Sequence, residues 1–373
     1  MLLKNIKIRK LKMKDNLSQL IFPKLFIPGP VQVNSLVLQQ QTKQMVNHRG
    51  PYFSRIISSI SSNLAKLYLT NPEKAKSKIF TLSSSGTGAV EAAFVNLVEK
   101  NDRVLCIDNG WFGARLTVCA QNYCDNVKTL NIPWGKAPSL EQINQEIVDF
   151  KPTIISVVHN DTSTGVCNPL KEICALANEN NSLIIVDSVS GLGGSPLNFD
   201  SLGIDICASS SQKCVGSTPG VSYLAVSEDA WQKINKRQRI PSMYFDLKKY
   251  EKFLSDGQTP YTPNISAYFA LEQALQIYFD TGLEKNIEKH AKAAKLCQTK
   301  LTEKGYSLFA QENYRSNTLT TFKAENAVEI KEKLLASGFE ISLGMAEFSK
   351  SVCRIGHMGE ISFESLESVL DLL

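Results

Sequence analysis

The residue of this chain best placed for covalent chemistry is a lysine that follows a strand-like run. Lys213 comes at the end of Ser209-Ser210-Ser211-Gln212-Lys213, just past the apolar stretch Asp205–Ser209. Burial there depresses an amine pKa and leaves the neutral, nucleophilic form available. A lone lysine is as readily a surface residue that snorkels, so its companions matter. Asp187 closes the run Leu183–Asp187. A carboxylate ending a buried strand needs a partner, because an unpaired buried charge is costly. A helix N-terminus would satisfy it. So would the protonated ring nitrogen of a pyridine-type cofactor, which the carboxylate would keep electron-withdrawing. A third feature, Leu82-Ser83-Ser84-Ser85-Gly86-Thr87-Gly88, leads into a helical pattern expected to open at Ala89. Its glycines allow a tight turn, and the helix start offers free N–H groups to a phosphate. No GK[ST] follows and no GxGxxG occurs, so neither a Walker loop nor a dinucleotide fingerprint is present.

These residues need a scaffold that gathers them. Apolar runs at Ile79–Leu82, Arg103–Ile107, Thr153–His159, Leu183–Asp187, Asp205–Ser209 and Val221–Val226 read as strands. Helical periodicity lies between them at Ala89–Val98, Leu140–Phe150 and Leu170–Asn178. Continuous apolar strands alternating with helices predict a mostly parallel sheet covered on both faces, an α/β fold. Ligands of such sheets bind beyond the carboxyl ends of the strands, where Asp187 and Lys213 fall. After residue 263 the pattern changes to helices over 267–281 and 287–303, followed by shorter mixed segments. This predicts a basic arm over 1–25, a large domain over 26–266 and a smaller α+β domain over 267–373, with the first long helix bridging the two.

Composition removes several function classes. Of the 373 residues nine are cysteine and four histidine, and no CxxC pair occurs, so no metal site is expected. Unpaired cysteines without a secretory signal suit a cytoplasmic protein. Lys4, Lys7, Arg9, Lys10, Lys12 and Lys14 against Asp15 account for the whole net charge of +5. The rest is balanced, which leaves no basic face for nucleic acid. The stretch Met1–Asp15 has no serine and no small-residue cleavage site, and it reads as a leader or an upstream start rather than a targeting peptide. No apolar run approaches the roughly 20 residues of a membrane helix.

The order of glycine turn, strand-end aspartate and strand-end lysine is that of a fold-type I pyridoxal phosphate (PLP) enzyme. From about Phe26 to Met358 the sequence resembles the class V aminotransferases, especially the alanine–glyoxylate and serine–pyruvate aminotransferases. Pro28-Gly29-Pro30 resembles the family's entry motif, and Gly29 would line the substrate. Ser85-Gly86-Thr87 matches the turn that binds the cofactor phosphate. In Asn109-Gly110-Trp111-Phe112-Gly113, the resemblance makes Phe112 the residue stacked on the pyridine ring and leaves Trp111 a core role. His159-Asn160-Asp161-Thr162-Ser163-Thr164-Gly165 resembles H-x-E-[ST]-[ST]-T-G, with Thr162 bonded to the cofactor's 3′-oxygen and aspartate standing where glutamate is usual. Asp187, Gln212 and Lys213 match the pyridinium partner, a phosphate contact and the Schiff-base lysine. Gln258 to Pro263 resembles the segment that crosses a homodimer to the other subunit's phosphate, with Thr259, Tyr261 and Thr262 as candidates. Arg354-Ile355-Gly356-His357-Met358-Gly359 resembles R-I-G-x-x-G, whose arginine would grip the substrate α-carboxylate by two parallel hydrogen bonds.

The resemblance implies a ping-pong aminotransferase that moves an amino group from alanine or serine to glyoxylate or pyruvate, with Lys213 as proton carrier. The rival within the family is a 2-aminoethylphosphonate–pyruvate aminotransferase, for which Arg49 could meet a second anion. A cysteine desulfurase needs a loop cysteine before the arginine, and Gly344-Met345-Ala346-Glu347 has none. A non-catalytic PLP-binding protein would be expected to lack one of Lys213, Asp187 and Arg354.

Overall fold

The computed structural model describes residues 22–373, so most of the expected basic arm lies outside the described residues. The chain enters through a short strand, β1 (Lys24–Phe26), and then a long amphipathic helix, α1 (Pro51–Tyr68). Six strands and two helices then bear on the site: β2 (Lys78–Leu82), α2 (Gly86–Leu97), β3 (Arg103–Asp108), α3 (Trp111–Gln121), β4 (Asn126–Asn131), β5 (Ile154–Val158), β6 (Leu183–Asp187) and β7 (Ile206–Ser210). With β8 (Ser222–Val226) they form a seven-stranded sheet in the order β2-β8-β7-β6-β5-β3-β4. All neighbours pair parallel except at β8, which runs antiparallel to both β2 and β7. A parallel neighbour would require a long crossover, whereas β7 returns directly into β8. Lys213 sits in that connecting loop.

The apolar runs are continuous because both faces of the sheet are covered. Ile155, Val157, Ile184 and Val186 point into one core with Phe53, Ile56 and Ile60 of α1. Ile154, Val158, Ile185 and Ala208 point into the other with Ala89, Ala93 and Phe94 of α2. The alternation along each strand is the period of two expected of a pleated chain.

A second sheet holds β1, β9 (Leu319–Lys323), β10 (Phe339–Leu343) and β11 (Val352–Gly356), in the order β1-β10-β11-β9. Its core takes Phe26, Phe322, Ile341 and Ile355 together with Ala293, Cys297 and Leu301 of a helix over Leu283–Glu303. Two elements lie across the boundaries drawn from sequence. β1 pairs in parallel with β10, so the N-terminal strand joins the C-terminal sheet. The helix α4 (Ile265–Thr281), expected from residue 267 as a bridge between the two domains, puts Tyr268, Leu271 and Leu275 into the first core. It is apolar nearly all round, and such a helix is buried by the larger body.

Candidate active site

The glycine turn is tighter than its sequence suggests. The helix opens at Gly86 rather than Ala89, because Ser85 is its N-cap and accepts from the Gly88 N–H at 3.4 Å. Gly86 and Thr87 therefore form the first turn of a 12-residue helix, whose free N–H groups point out of the carboxyl edge of the sheet. A Cβ on Gly86 would come within 2.9 Å of the Ser210 hydroxyl, so only glycine lets the helix start approach β7. The Ser210 hydroxyl is buried and has no hydrogen-bond partner, and neither has Gln212 Oε1. A positive dipole end, hydroxyls and an amide thus converge with unmet bonding capacity.

Beside this cradle opens a cleft of about 730 Å3. Ser85, Gly86, Thr87, Phe112, Thr162, Asp187, Gln212 and Lys213 all line it, eight of the residues singled out from sequence. Asp187 is 7 % exposed, and its one side-chain hydrogen bond is from the Val189 N–H at 2.9 Å. Burial, partly offset by that bond, pushes its carboxyl up to about 6, so the group has room for a further donor or cation. Burial likewise lowers the Lys213 amine to about 8, with Asp187 pulling it back and Arg354 pushing it further down. The amine donates to the Pro28 carbonyl, and a Cβ on Gly29 would lie 2.6 Å from it. Gly29 has φ +106°, a conformation that favours glycine.

Arg354 approaches from β11. Its Nε donates to Leu343 O at 2.7 Å and Nη1 to Thr162 O at 2.8 Å, which joins the second sheet to the cleft wall at Thr162. Neither Arg354 nor Gly29 lines the cleft itself; both border it, one through Thr162 and the other through Lys213. Thr259, Tyr261 and Thr262 also lie off the cleft of their own chain. Thr259 is buried and bonds Tyr261 O at 2.8 Å, while the Tyr261 ring stacks on Tyr244 at 5.2 Å.

Two sequence expectations change. Trp111 is no core residue: it is 39 % exposed and lines the cleft beside Phe112, because the first position of α3 faces outward. Arg49 does not face the cleft, since its guanidinium donates to Gln258 Oε1, Thr259 O and Pro260 O. Asp161, the unusual aspartate, is fully buried and accepts from the Phe112 and Gly113 N–H groups at 3.1 and 3.2 Å. Residues not singled out include Arg115, which bonds Thr87 Oγ1 at 3.1 Å and covers the Phe112 ring at 5.0 Å. Its spacing of three from Phe112 on one helix was the available signal. Asn160 and Ser190 also line the cleft from the loops after β5 and β6. Cys353 is fully buried with its thiol on Ala327 O at 3.6 Å, which is no place for a persulfide-forming nucleophile. Among the described residues no cluster of three His, Cys, Asp or Glu side chains suits a metal, and no helix is long and apolar enough to cross a membrane.

A family model described as aminotransferase class-V matches residues 34–358. An uncharacterized aminotransferase of Methanocaldococcus jannaschii is 35% identical over 342 residues, covering 90% of this chain and 87% of that protein. The crystal structure of an alanine–glyoxylate aminotransferase from Nostoc sp. superposes with a TM-score of 0.89 at 32% identity, covering 97% of this chain and 96% of the other. That of a ureidoglycine–glyoxylate aminotransferase from Bacillus subtilis gives a TM-score of 0.87 at 27% identity, covering 97% and 94%.

Proposed function

The chain belongs to the class V aminotransferase family, and on that premise we propose that its cleft holds PLP and serves transfer of an amino group from alanine or serine to glyoxylate or pyruvate. One observation carries the reading: a lysine with a lowered pKa, a carboxyl with a raised one and an open helix N-terminus share a single cleft. The fit to PLP is direct. The first turn of α2, with Ser85, Thr87, Ser210 and Gln212, suits a phosphate, and the under-bonded Asp187 suits a pyridinium N–H.

When bound, PLP supplies an aldehyde that bonds to amines and a ring that draws electrons from the substrate α-carbon. Lys213 would hold the aldehyde carbon of that group until a substrate amine takes its place, and its amine would then serve as the general acid–base that moves the substrate α-proton. A pKa of about 8 keeps that amine able to take and return a proton near neutrality. Asp187 would hold the ring nitrogen protonated, Phe112 would pack against the ring face, and Thr162 would orient the ring through its 3′-oxygen. Arg354 keeps donor groups free for a carboxylate, because only Nε and Nη1 are bonded to protein.

Glyoxylate is favoured as acceptor because it appears in the names of both structural relatives, whereas their donors differ. The phosphonate reading loses the feature that raised it, since Arg49 is committed to the carbonyls of Thr259 and Pro260 and the side chain of Gln258. We further propose a cytoplasmic homodimer whose Thr259, Tyr261 and Thr262 complete the partner's phosphate site. A panel of alanine, serine, aspartate and 2-aminoethylphosphonate against glyoxylate and pyruvate tests the assignment. Turnover with alanine or serine is expected; turnover with 2-aminoethylphosphonate alone would overturn it.

A further inference from the structure

Helix α3 carries Phe112, yet it has no cap of its own. Its N-cap position is Gly110, which has no side chain to accept the first N–H groups. The acceptors come from the hairpin over residues 160–167 instead. Trp111 N–H donates to Ser163 Oγ at 2.9 Å, and the Phe112 and Gly113 N–H groups donate to Asp161 Oδ2 at 3.1 and 3.2 Å. The other carboxylate oxygen accepts from Ser163 N and Ser163 Oγ, at 2.9 and 2.5 Å. A Cβ on Gly110 would lie 2.5 Å from the carboxyl carbon, so the helix start sits directly on Asp161. The residue after Asp161 in the same hairpin gives its carbonyl to Arg354 Nη1 at 2.8 Å.

We propose that Asp161 is a positioning residue that fixes the ring-facing Phe112 and the carboxylate-binding Arg354 relative to each other. This rests on the PLP reading above. A carboxylate at a helix N-terminus is favoured by the exposed N–H groups and the dipole. Four donors offset part of its own burial cost, although burial still holds its carboxyl above the usual carboxylate range. Through it, one short hairpin grips both the helix that presents the aromatic and the guanidinium that presents the substrate.

Asp161→Asn keeps the shape but replaces one accepting oxygen with a donor, so either the helix N–H pair or the Ser163 pair is lost. PLP affinity is measured by titrating cofactor-free protein, and ring orientation by the induced circular dichroism of the bound cofactor. The variant is expected to bind PLP roughly tenfold more weakly, the scale of a lost helix cap. Its cofactor dichroism should fall, and its KM for the amino donor should rise more than its kcat falls. Asp161→Glu, which keeps the charge, should recover most of the dichroism; behaviour like the Asn variant would overturn the proposal. If the Asn variant does not fold, Ser163→Ala decides, with smaller shifts in the same quantities expected and no shift overturning it. Wild-type binding is established first. A wild type without any cofactor signal overturns the PLP reading and this proposal with it, and a wild-type signal unchanged in Asp161→Asn overturns this proposal alone.

Discussion

Gly29 and Lys213 are packed so closely that a Cβ on the glycine would stand 2.6 Å from the lysine amine nitrogen. The entry loop thus forms one wall around the reacting group, and the wall fits only because residue 29 has no side chain. Its φ of +106° excludes other residues on backbone grounds as well. Gly29→Ala should displace the amine and cost about a hundredfold in kcat, the penalty of misplacing a reacting group by about 1 Å. Steady-state rates on protein that still binds PLP check this; an unchanged kcat would show that the contact does not set the amine's position.

Burial lowers the Lys213 amine from 10.5 to about 8. Capture of PLP by the cofactor-free protein should accelerate with pH up to about 8 and then level off, instead of climbing toward 10.5. The sign for stability follows from the same shift. Between about 8 and 10.5 the unfolded chain binds the extra proton, so stability of the cofactor-free protein rises with pH across that window. Below it the buried charge is a cost, and Lys213→Met should melt higher than wild type at pH 7. Calorimetry at neutral and alkaline pH, with the difference shrinking at the alkaline end, is the check.

Asp187 shifts the other way, from 3.8 to about 6, chiefly through burial. A carboxyl whose folded pKa is raised favours the folded state below its unfolded pKa, and that contribution is lost as pH rises through about 6. Cofactor-free Asp187→Asn should therefore melt higher than wild type at pH 7 and lose that advantage near pH 4. Its turnover should nevertheless fall by about two to three orders of magnitude, since the ring nitrogen loses its charged partner. A variant with normal turnover would remove Asp187 from the chemistry.

Arg354 is held through Nε and Nη1 by two carbonyls, which aims the rest of the fork. Arg354→Lys retains a charge but not the planar two-point grip, and the KM for the amino donor should rise by roughly ten- to a hundredfold with a smaller loss in kcat. Arg354→Ala should in addition lower the melting temperature, because it abandons the Thr162 and Leu343 carbonyls.

Much of the central sheet was legible because β5, β6 and β7 are buried on both faces and so read as unbroken apolar runs. The edge strand β4 was not, since Asn126–Asn131 is only half buried and its polar residues break the run. β10, with a similarly mixed pattern, escaped for the same reason. Lys213 and Asp187 were found because charge beside a buried strand is unusual in any sequence. The task of Asp161 was hidden, because a cap supplied from a distant hairpin leaves no local spacing to read. Arg115 shows a milder failure: its helical spacing from Phe112 was visible, but not that this face turns into the cleft. Trp111 is expected in the core only because Phe112 takes the stacking role, while its place at the helix start faces it outward.

The claim that Lys213 moves the proton is tested most directly by exchange at the substrate α-carbon. PLP-loaded protein is incubated with alanine in deuterium oxide, without any 2-oxo acid, and loss of the α-hydrogen is followed by proton NMR. Wild type should exchange that hydrogen, and Lys213→Ala, loaded with PLP and alanine, should exchange it at least about a hundredfold more slowly. Exchange by Lys213→Ala at the wild-type rate would assign the proton transfer to another group and contradict the account.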